Sequence, residues 1–449
     1  MNLATGDVAR LLVALTVLLI AAHGLGAVFA RLRQPRVIGE ILGGLLLGPT
    51  ALGAWAPRVH NWIFPDDGPS ATVLAAIYQL GLLLLMYCSG MEIRSWITRR
   101  EARTGASILA LGTVLPFLAG LAALGVINES QFFGPSGNAQ SFLLVFAVAM
   151  AVTSIPVISR IMFDLGILGT PFSRIVLGVA VVEDIVLYVV LAVALGIAAQ
   201  HGTAPYGLPG ALDLQPGSAG DLTYHAVATV AVLGLFLIFG RRFYRVAARS
   251  RFNLIRQWSP VAFQLVFMFA ACVGCVFLGI QPFFGAFVAG IAAGSATREP
   301  DPLEEGAKVA VTQFSFAFFI PIYFAVVGLQ LDLLHDFSVL FFLGYLAFAC
   351  FVKTISVYAG ARFGGQRPAA SVNLAVAMNA RGGPGIVLAS VAYGADIINQ
   401  SFYAVLVLLA IVTSLLAGSW LARVPRDQLL APAASPLDSA GEQASVDTT

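Results

Sequence analysis

Along almost the whole chain, runs of apolar residues about as long as a bilayer is thick alternate with short polar loops. A membrane-crossing helix needs about 20 predominantly apolar residues. The pattern predicts thirteen such segments: 8–32, 36–54, 71–91, 105–127, 140–163, 172–200, 223–240, 258–280, 282–297, 309–331, 338–361, 370–394 and 401–423. The second and ninth are short and glycine-rich. The opening stretch "MNLATGDVARLLVALTVLLIAAHG" shows no small-residue cleavage site, so it is expected to be a retained helix. From about Pro425 the chain is polar and rich in Ala, Ser and Asp, and residues 425–449 are expected to form a disordered cytoplasmic tail.

Composition agrees with the pattern. Hydrophobic residues make up 59% of the 449 and charged residues 11%, with a mean hydropathy of +0.88. Soluble domains carry about 25% charged residues, so an all-α integral membrane protein is expected and a nucleic-acid partner is not. Cys272 and Cys275 have the spacing of a redox or zinc pair, but no second pair or polar ligand lies near them. They are expected to be small packing residues.

The basic residues orient the helices. With the N-terminus outside and the C-terminus inside, all but four of the 25 Lys and Arg residues fall in inner loops. Arg10 and Arg58 lie outside, and Lys353 and Arg381 lie within the membrane. Such segregation is the positive-inside rule, and one helix more or fewer would scramble it.

The chain also carries an internal echo. "VIGEILGGLLLGPTALG" (37–53) resembles "PFFGAFVAGIAAGSATR" (282–298), and "LGLLLLMYCSGMEIRSW" (80–96) resembles "IPIYFAVVGLQLDLL" (320–334). Helices two and three thus correspond to nine and ten. The offset of seven is odd, so equivalent helices run in opposite directions. This predicts two inverted six-helix repeats, helices 1–6 and 8–13, with the seventh as linker. The same register pairs helix five with helix twelve, the two most irregular stretches: "VTSIPVIS" (152–159), with Thr153, Ser154 and Pro156, and "NARGGPGIV" (379–387). Irregular backbone at membrane depth is tolerated only where protein buries it or water reaches it. Crossed discontinuous helices in inverted halves mark a transport site, where free carbonyls at helix C-termini can hold a cation.

Five ionisable residues remain at membrane depth: Glu40, Glu183, Asp184, Lys353 and Arg381. A charge at the centre of a membrane helix costs about 2.5–3.5 kcal/mol on insertion scales, so each needs a partner or a task. Glu183 and Asp184 point about 100° apart on a helix and cannot share one partner equally. Lys353 is the natural partner of one carboxylate, leaving the other to face a wet cavity. Arg381 is expected to balance another charge or brace the broken helix, and Glu40 to snorkel or pair with Arg36. A carboxylate in such a cavity can be protonated or can bind a cation, and the two states exclude each other. With alternating access, one such site yields coupled exchange, and Thr153, Ser154 and carbonyls at the breaks would supply further oxygen ligands.

These residues together resemble the monovalent cation:proton antiporters, the branch holding bacterial sodium/proton and potassium/proton exchangers and plant cation/proton exchangers. "VVEDIVLYVVLA" is similar to that family's Asp-Asp or Asn-Asp motif, with Asp184 at the ion- and proton-carrying position and Glu183 before it. Lys353 matches the lysine preceding the second break. "AMNARGGPGIVLA" is similar to the Asn-x-Arg-Gly stretch, with Asn379 and Arg381 at its polar positions, and Thr153–Ser154 match the other break. The resemblance implies a transmembrane domain over 1–424 with a scaffold and dimer part (1–104 and 258–334) and an ion-carrying core (105–200 and 338–423). Residues 223–240 would form a linker helix. It further implies an elevator-like core motion, a homodimer in the lipid of the plasma membrane, transported Na⁺ or K⁺ and H⁺, a transient monovalent cation at Asp184, no cofactor and no enzymatic activity. Glu at the first acid and "GGPG" after Arg381 depart from the family pattern, and no cytosolic nucleotide-binding domain is expected. A sodium-coupled organic-anion symporter is the alternative. It would want a roomier polar pocket, and a channel would show a pore loop.

Overall fold

A computed structural model of the chain describes residues 4–32, 34–92, 99–123, 129–136, 138–154, 157–158, 161–162, 165–167, 170–198, 207–212, 219–250, 253–295, 302–334 and 337–425. The expected tail from 426 on and Pro156 of the first break lie outside these residues. Among the described residues the fold is helical, and the single β-bridge joins Phe133 to Ile398.

The hydrophobic segments become α1 (Thr5–Arg31), α2 (Arg36–Leu47), α3 (Pro69–Glu92), α4 (Arg99–Ala123), α5 (Ala139–Ala151), α6 (Pro171–Ala198), α7 (Ala219–Arg249), α8 (Pro260–Phe277), α9 (Pro282–Ser295), α10 (Pro302–Phe314), α11 (Ile320–Leu329), α12 (Val339–Phe363), α13 (Pro368–Ala377), α14 (Gly382–Gly394) and α15 (Gln400–Leu421). A π-helical turn over Ser315–Phe319 joins α10 to α11 as one span. Among the described residues, eleven spans are long and apolar enough to cross a membrane, and Ala139–Ala151 and Pro282–Gly294 are shorter apolar helices. Each lies on one of the thirteen predicted segments. Several boundaries differ: α5 ends at Ala151 inside its predicted segment, α7 runs on through Arg241–Arg249, and α4 and α10 begin six and seven residues before their apolar runs. Arg, Glu and Ala are good helix formers, so a helix outlasts the hydropathy that reveals it.

Packing follows the residues that permit close approach. α2 lies against α11, where Gly44 faces the backbone of Ala325 and Gly328 that of Ile41. α3 lies against α9, where Gly90 faces Phe287 and Gly290 faces Tyr87. A Cβ at any of these four would strike main chain, which is how small residues bring apolar helices together when lipid offers no hydrophobic drive. α1 packs on α2 and α8 on α9; α4 packs on α5 and α12, α5 on α6, α12 on α13, and α14 on α15. Large apolar side chains such as Leu12, Ile20, Ile238, Leu340 and Phe351 stand exposed on α1, α7 and α12, as lipid-facing surfaces require. By contrast α6, α14 and α15 are mostly buried and form the centre of the bundle.

Candidate functional site

The centre is built where two helices stop. After Ala151 the chain turns extended at Val152, and Thr153 and Ser154 are fully buried. α13 likewise ends at Ala377, and α14 begins at Gly382. The two breaks cross and bond to each other. Ser154 N–H donates to the Ala380 carbonyl at 2.6 Å, and the Thr153 hydroxyl donates to the Met378 carbonyl at 2.6 Å.

A helix end leaves about four backbone groups without partners, a heavy cost away from water. Here side chains answer the need. Arg381 bonds two last-turn carbonyls of α5, from Nε to Ala149 at 3.2 Å and from Nη2 to Met150 at 3.0 Å. It also reaches the Ala349 carbonyl at 3.1 Å and the Asn379 side chain at 3.2 Å. Lys353 Nζ takes the next carbonyl, Ala151, at 2.5 Å. Both cations therefore sit on the negative end of the α5 dipole. At the start of α14, N–H groups meet hydroxyls: Arg381 donates to Thr413 Oγ1 at 3.3 Å, Gly382 to Ser414 Oγ at 3.3 Å and Gly383 to Ser154 Oγ at 3.1 Å. Pro384 has no N–H to satisfy, and Gly385 makes the first intrahelical bond.

α6 carries the two acids past these breaks, each 1% exposed. Glu183 Oε1 accepts from Lys353 Nζ at 2.7 Å and from the Thr113 hydroxyl of α4 at 2.7 Å. The extra methylene of Glu is thus accommodated with full ion-pair contact. Asp184 differs: among the described residues its Oδ1 is buried with no hydrogen-bond partner, as is Glu183 Oε2. One carboxylate is neutralised in place and its neighbour is left available.

Every site residue expected from the sequence lies in or beside this cluster, but several do different work. Arg381 braces the crossing rather than balancing an acid, since no carboxylate accepts from it among the described residues. Thr153 and Ser154 tie the breaks together with the groups expected to ligate a cation. The α5 carbonyls, expected to be free, are held by Arg381 and Lys353. Asn379 bridges to α12 through Thr354 Oγ1 at 2.9 Å. A cavity of about 310 Å³ lies away from Asp184, at one end of the bundle, lined by Gln131, Ser338, Phe341, Asn399 and Gln400. Glu40 stands apart, buried on α2 beside Gly26 of α1. Cys272 and Cys275 are buried and unbridged, as packing residues are.

Sequence reading missed Thr113, Thr354, Thr413 and Ser414. Hydroxyls in apolar helices ordinarily bond the carbonyl four residues back, as Thr413 also does to Leu409 at 2.7 Å. Nothing in their sequence surroundings separates those that also serve the site.

Comparison with known proteins gives a consistent result. The family described as "Sodium/hydrogen exchanger, transmembrane" matches residues 14–426. Cation/H(+) antiporter 17 of Arabidopsis thaliana is 27% identical over 418 residues, covering 90% of this chain and 47% of that protein. The chain spans about half the length of the plant relatives it matches. Na(+)/H(+) antiporter NhaS4 of Synechocystis sp. is 26% identical over 432 residues, covering 94% of this chain and 98% of that protein. The sodium proton antiporter MjNhaP1 from Methanocaldococcus jannaschii shares the fold, with a TM-score of 0.65 at 14% identity over 94% of this chain and 99% of that one.

Proposed function

Because the chain belongs to the transmembrane sodium/hydrogen exchanger family, we propose that it is a secondary active antiporter exchanging Na⁺ or K⁺ for H⁺, with both ions competing at Asp184. It is a transporter, not an enzyme. The observation that carries this reading is the unequal treatment of two adjacent acids. Glu183 is held by Lys353 and Thr113, while the Asp184 carboxylate is equally buried and its Oδ1 has no partner among the described residues. A buried carboxylate in that position gains by taking up either a proton or a small hard cation.

The proposed architecture has thirteen crossings in two inverted repeats. The packing supports it: shifting each crossing by seven turns the α2–α11 contact into the α9–α3 contact and the α1–α2 contact into the α8–α9 contact, and both members of each pair occur. In this reading residues 105–200 and 338–423 form a core that carries the ion. It slides against a scaffold of 1–104 and 258–334, and the linker helix joins the halves. The protein works as a homodimer in the plasma membrane with its N-terminus outside and C-terminus cytoplasmic, where such exchange serves pH homeostasis.

The organic-anion alternative loses ground at the site itself. An anionic substrate wants an unengaged cation, and the two central ones are committed to Glu183 and to main-chain carbonyls. The test is cation-driven pH change in proteoliposomes with Na⁺, K⁺ and Li⁺, wild type against Asp184→Asn. Exchange by wild type and none by the variant supports the reading and settles selectivity. A competent wild-type preparation that answers none of the cations overturns it.

A further inference from the structure

One turn beyond Asp184, on the same face of α6, stands Tyr188. Its side chain is fully buried, and among the described residues its hydroxyl has no hydrogen-bond partner. Its ring is wedged edge-on against Phe287 of α9, with centroids 4.8 Å apart, and lies 6.1 Å from Phe283. Packing explains the ring. It does not explain the hydroxyl, because a phenylalanine would fill the same space without burying a polar group. Buried tyrosine hydroxyls ordinarily find a partner, and one left without it costs stability. The spacing of four residues sets the phenol on the same face of α6 as the Asp184 carboxylate. The Asp184 Oδ1 likewise has no partner.

Resting on the exchange reading above, we propose that Tyr188 is a further residue of the transport site, its hydroxyl serving the Asp184 carboxylate and the cation bound there. In the empty site the hydroxyl stands beside the carboxylate without a hydrogen-bond partner among the described residues. When a cation occupies the site, the O–H turns and presents its oxygen lone pairs as a neutral ligand. No bond is broken in either state; only the hydroxyl rotates, which a phenol does readily. Thr153 and Ser154 are engaged between the breaks, so Tyr188 supplies an oxygen that they do not. Because its ring rests on α9, it also lies at the contact between the proposed core and scaffold.

The test is Tyr188→Phe in proteoliposomes, with exchange measured against cation concentration at fixed pH, beside thermal unfolding of purified protein with and without the cation. A hydrogen bond or ligand contact to a charged group is lost while the ring contacts stay. The apparent KM for the transported cation should rise about tenfold or more, the loss falling on KM rather than on the maximal rate. Without cation the variant should unfold no lower than wild type, because an unpartnered buried hydroxyl has been deleted. With cation it should gain less stabilisation than wild type. Tyr188→Leu, which also lacks the hydroxyl, should show the same rise in KM. An unchanged KM in Tyr188→Phe, with Asp184→Asn inactive beside it, overturns the role of Tyr188 and leaves the exchange reading standing. Wild type inert toward every cation overturns both.

Discussion

Replacing Lys353 by Met would leave the Glu183 carboxylate deep in the bundle with Thr113 as its remaining donor, and would free the Ala151 carbonyl at the end of α5. Lys353 and Glu183 side chains are both 0% exposed, so neither charge can recover hydration by a small movement. Breaking a buried pair by removing one partner costs about 3–5 kcal/mol, whereas replacing both by apolar or neutral groups of similar shape is often neutral. Lys353→Met and Glu183→Gln should each lower the unfolding midpoint in detergent by several degrees. The double variant should recover most of that loss, with a coupling of roughly 2–3 kcal/mol, the upper part of the range for residues in contact. A double variant whose loss equals the sum of the two single losses would refute the argument, since the pair would then hold nothing jointly. Collapse of the double to the level of the worse single would show that the Ala151 carbonyl, rather than the carboxylate, is what Lys353 serves.

Further outcomes follow from the same geometry. Asp184→Asn should abolish exchange while leaving the unfolding midpoint near wild type, because the side chain keeps its shape and Oδ1 loses no bond. If H⁺ and cation exclude each other at one site, lowering the pH should raise the apparent KM for the cation and leave the rate at saturating cation largely unaffected; a pH-independent KM would refute competition. Arg381→Lys should fold poorly and recover little, since one ammonium cannot reproduce a guanidinium fork that spans Ala149, Met150, Ala349 and Asn379; yield on size-exclusion chromatography reads this. Thr113→Val should cost about 1.5–3 kcal/mol as a hydrogen bond to a charged group is lost, checked by thermal unfolding. Gly44→Val should part α2 from α11, because its Cβ would strike the Ala325 main chain, and should reduce the folded yield.

Residue order alone made legible whatever depends on local composition and on the bilayer as solvent. Spans of apolar residues must be helices there, because no other open structure satisfies its own backbone. The two stretches that interrupt the pattern had to hold irregular backbone, and it is found at 152–154 and 378–381. The ionisable residues left at depth, Glu183, Asp184, Lys353 and Arg381, had to gather away from lipid, where protein groups could meet them. These were legible because each violates a strong rule and stands out singly.

Who partners whom was settled by the packing of the helices alone. Which of two adjacent acids takes Lys353 depends on helix rotation, and residue order does not encode it. That Arg381 serves main-chain carbonyls rather than a carboxylate follows from where α5 happens to end beside it. The hydroxyls of Thr113, Thr413 and Ser414, like that of Tyr188, sit in unremarkable apolar helices and gain their meaning from neighbours distant in the chain. A polar atom in a hydrophobic helix is judged by what faces it, and that is settled only when the helices pack.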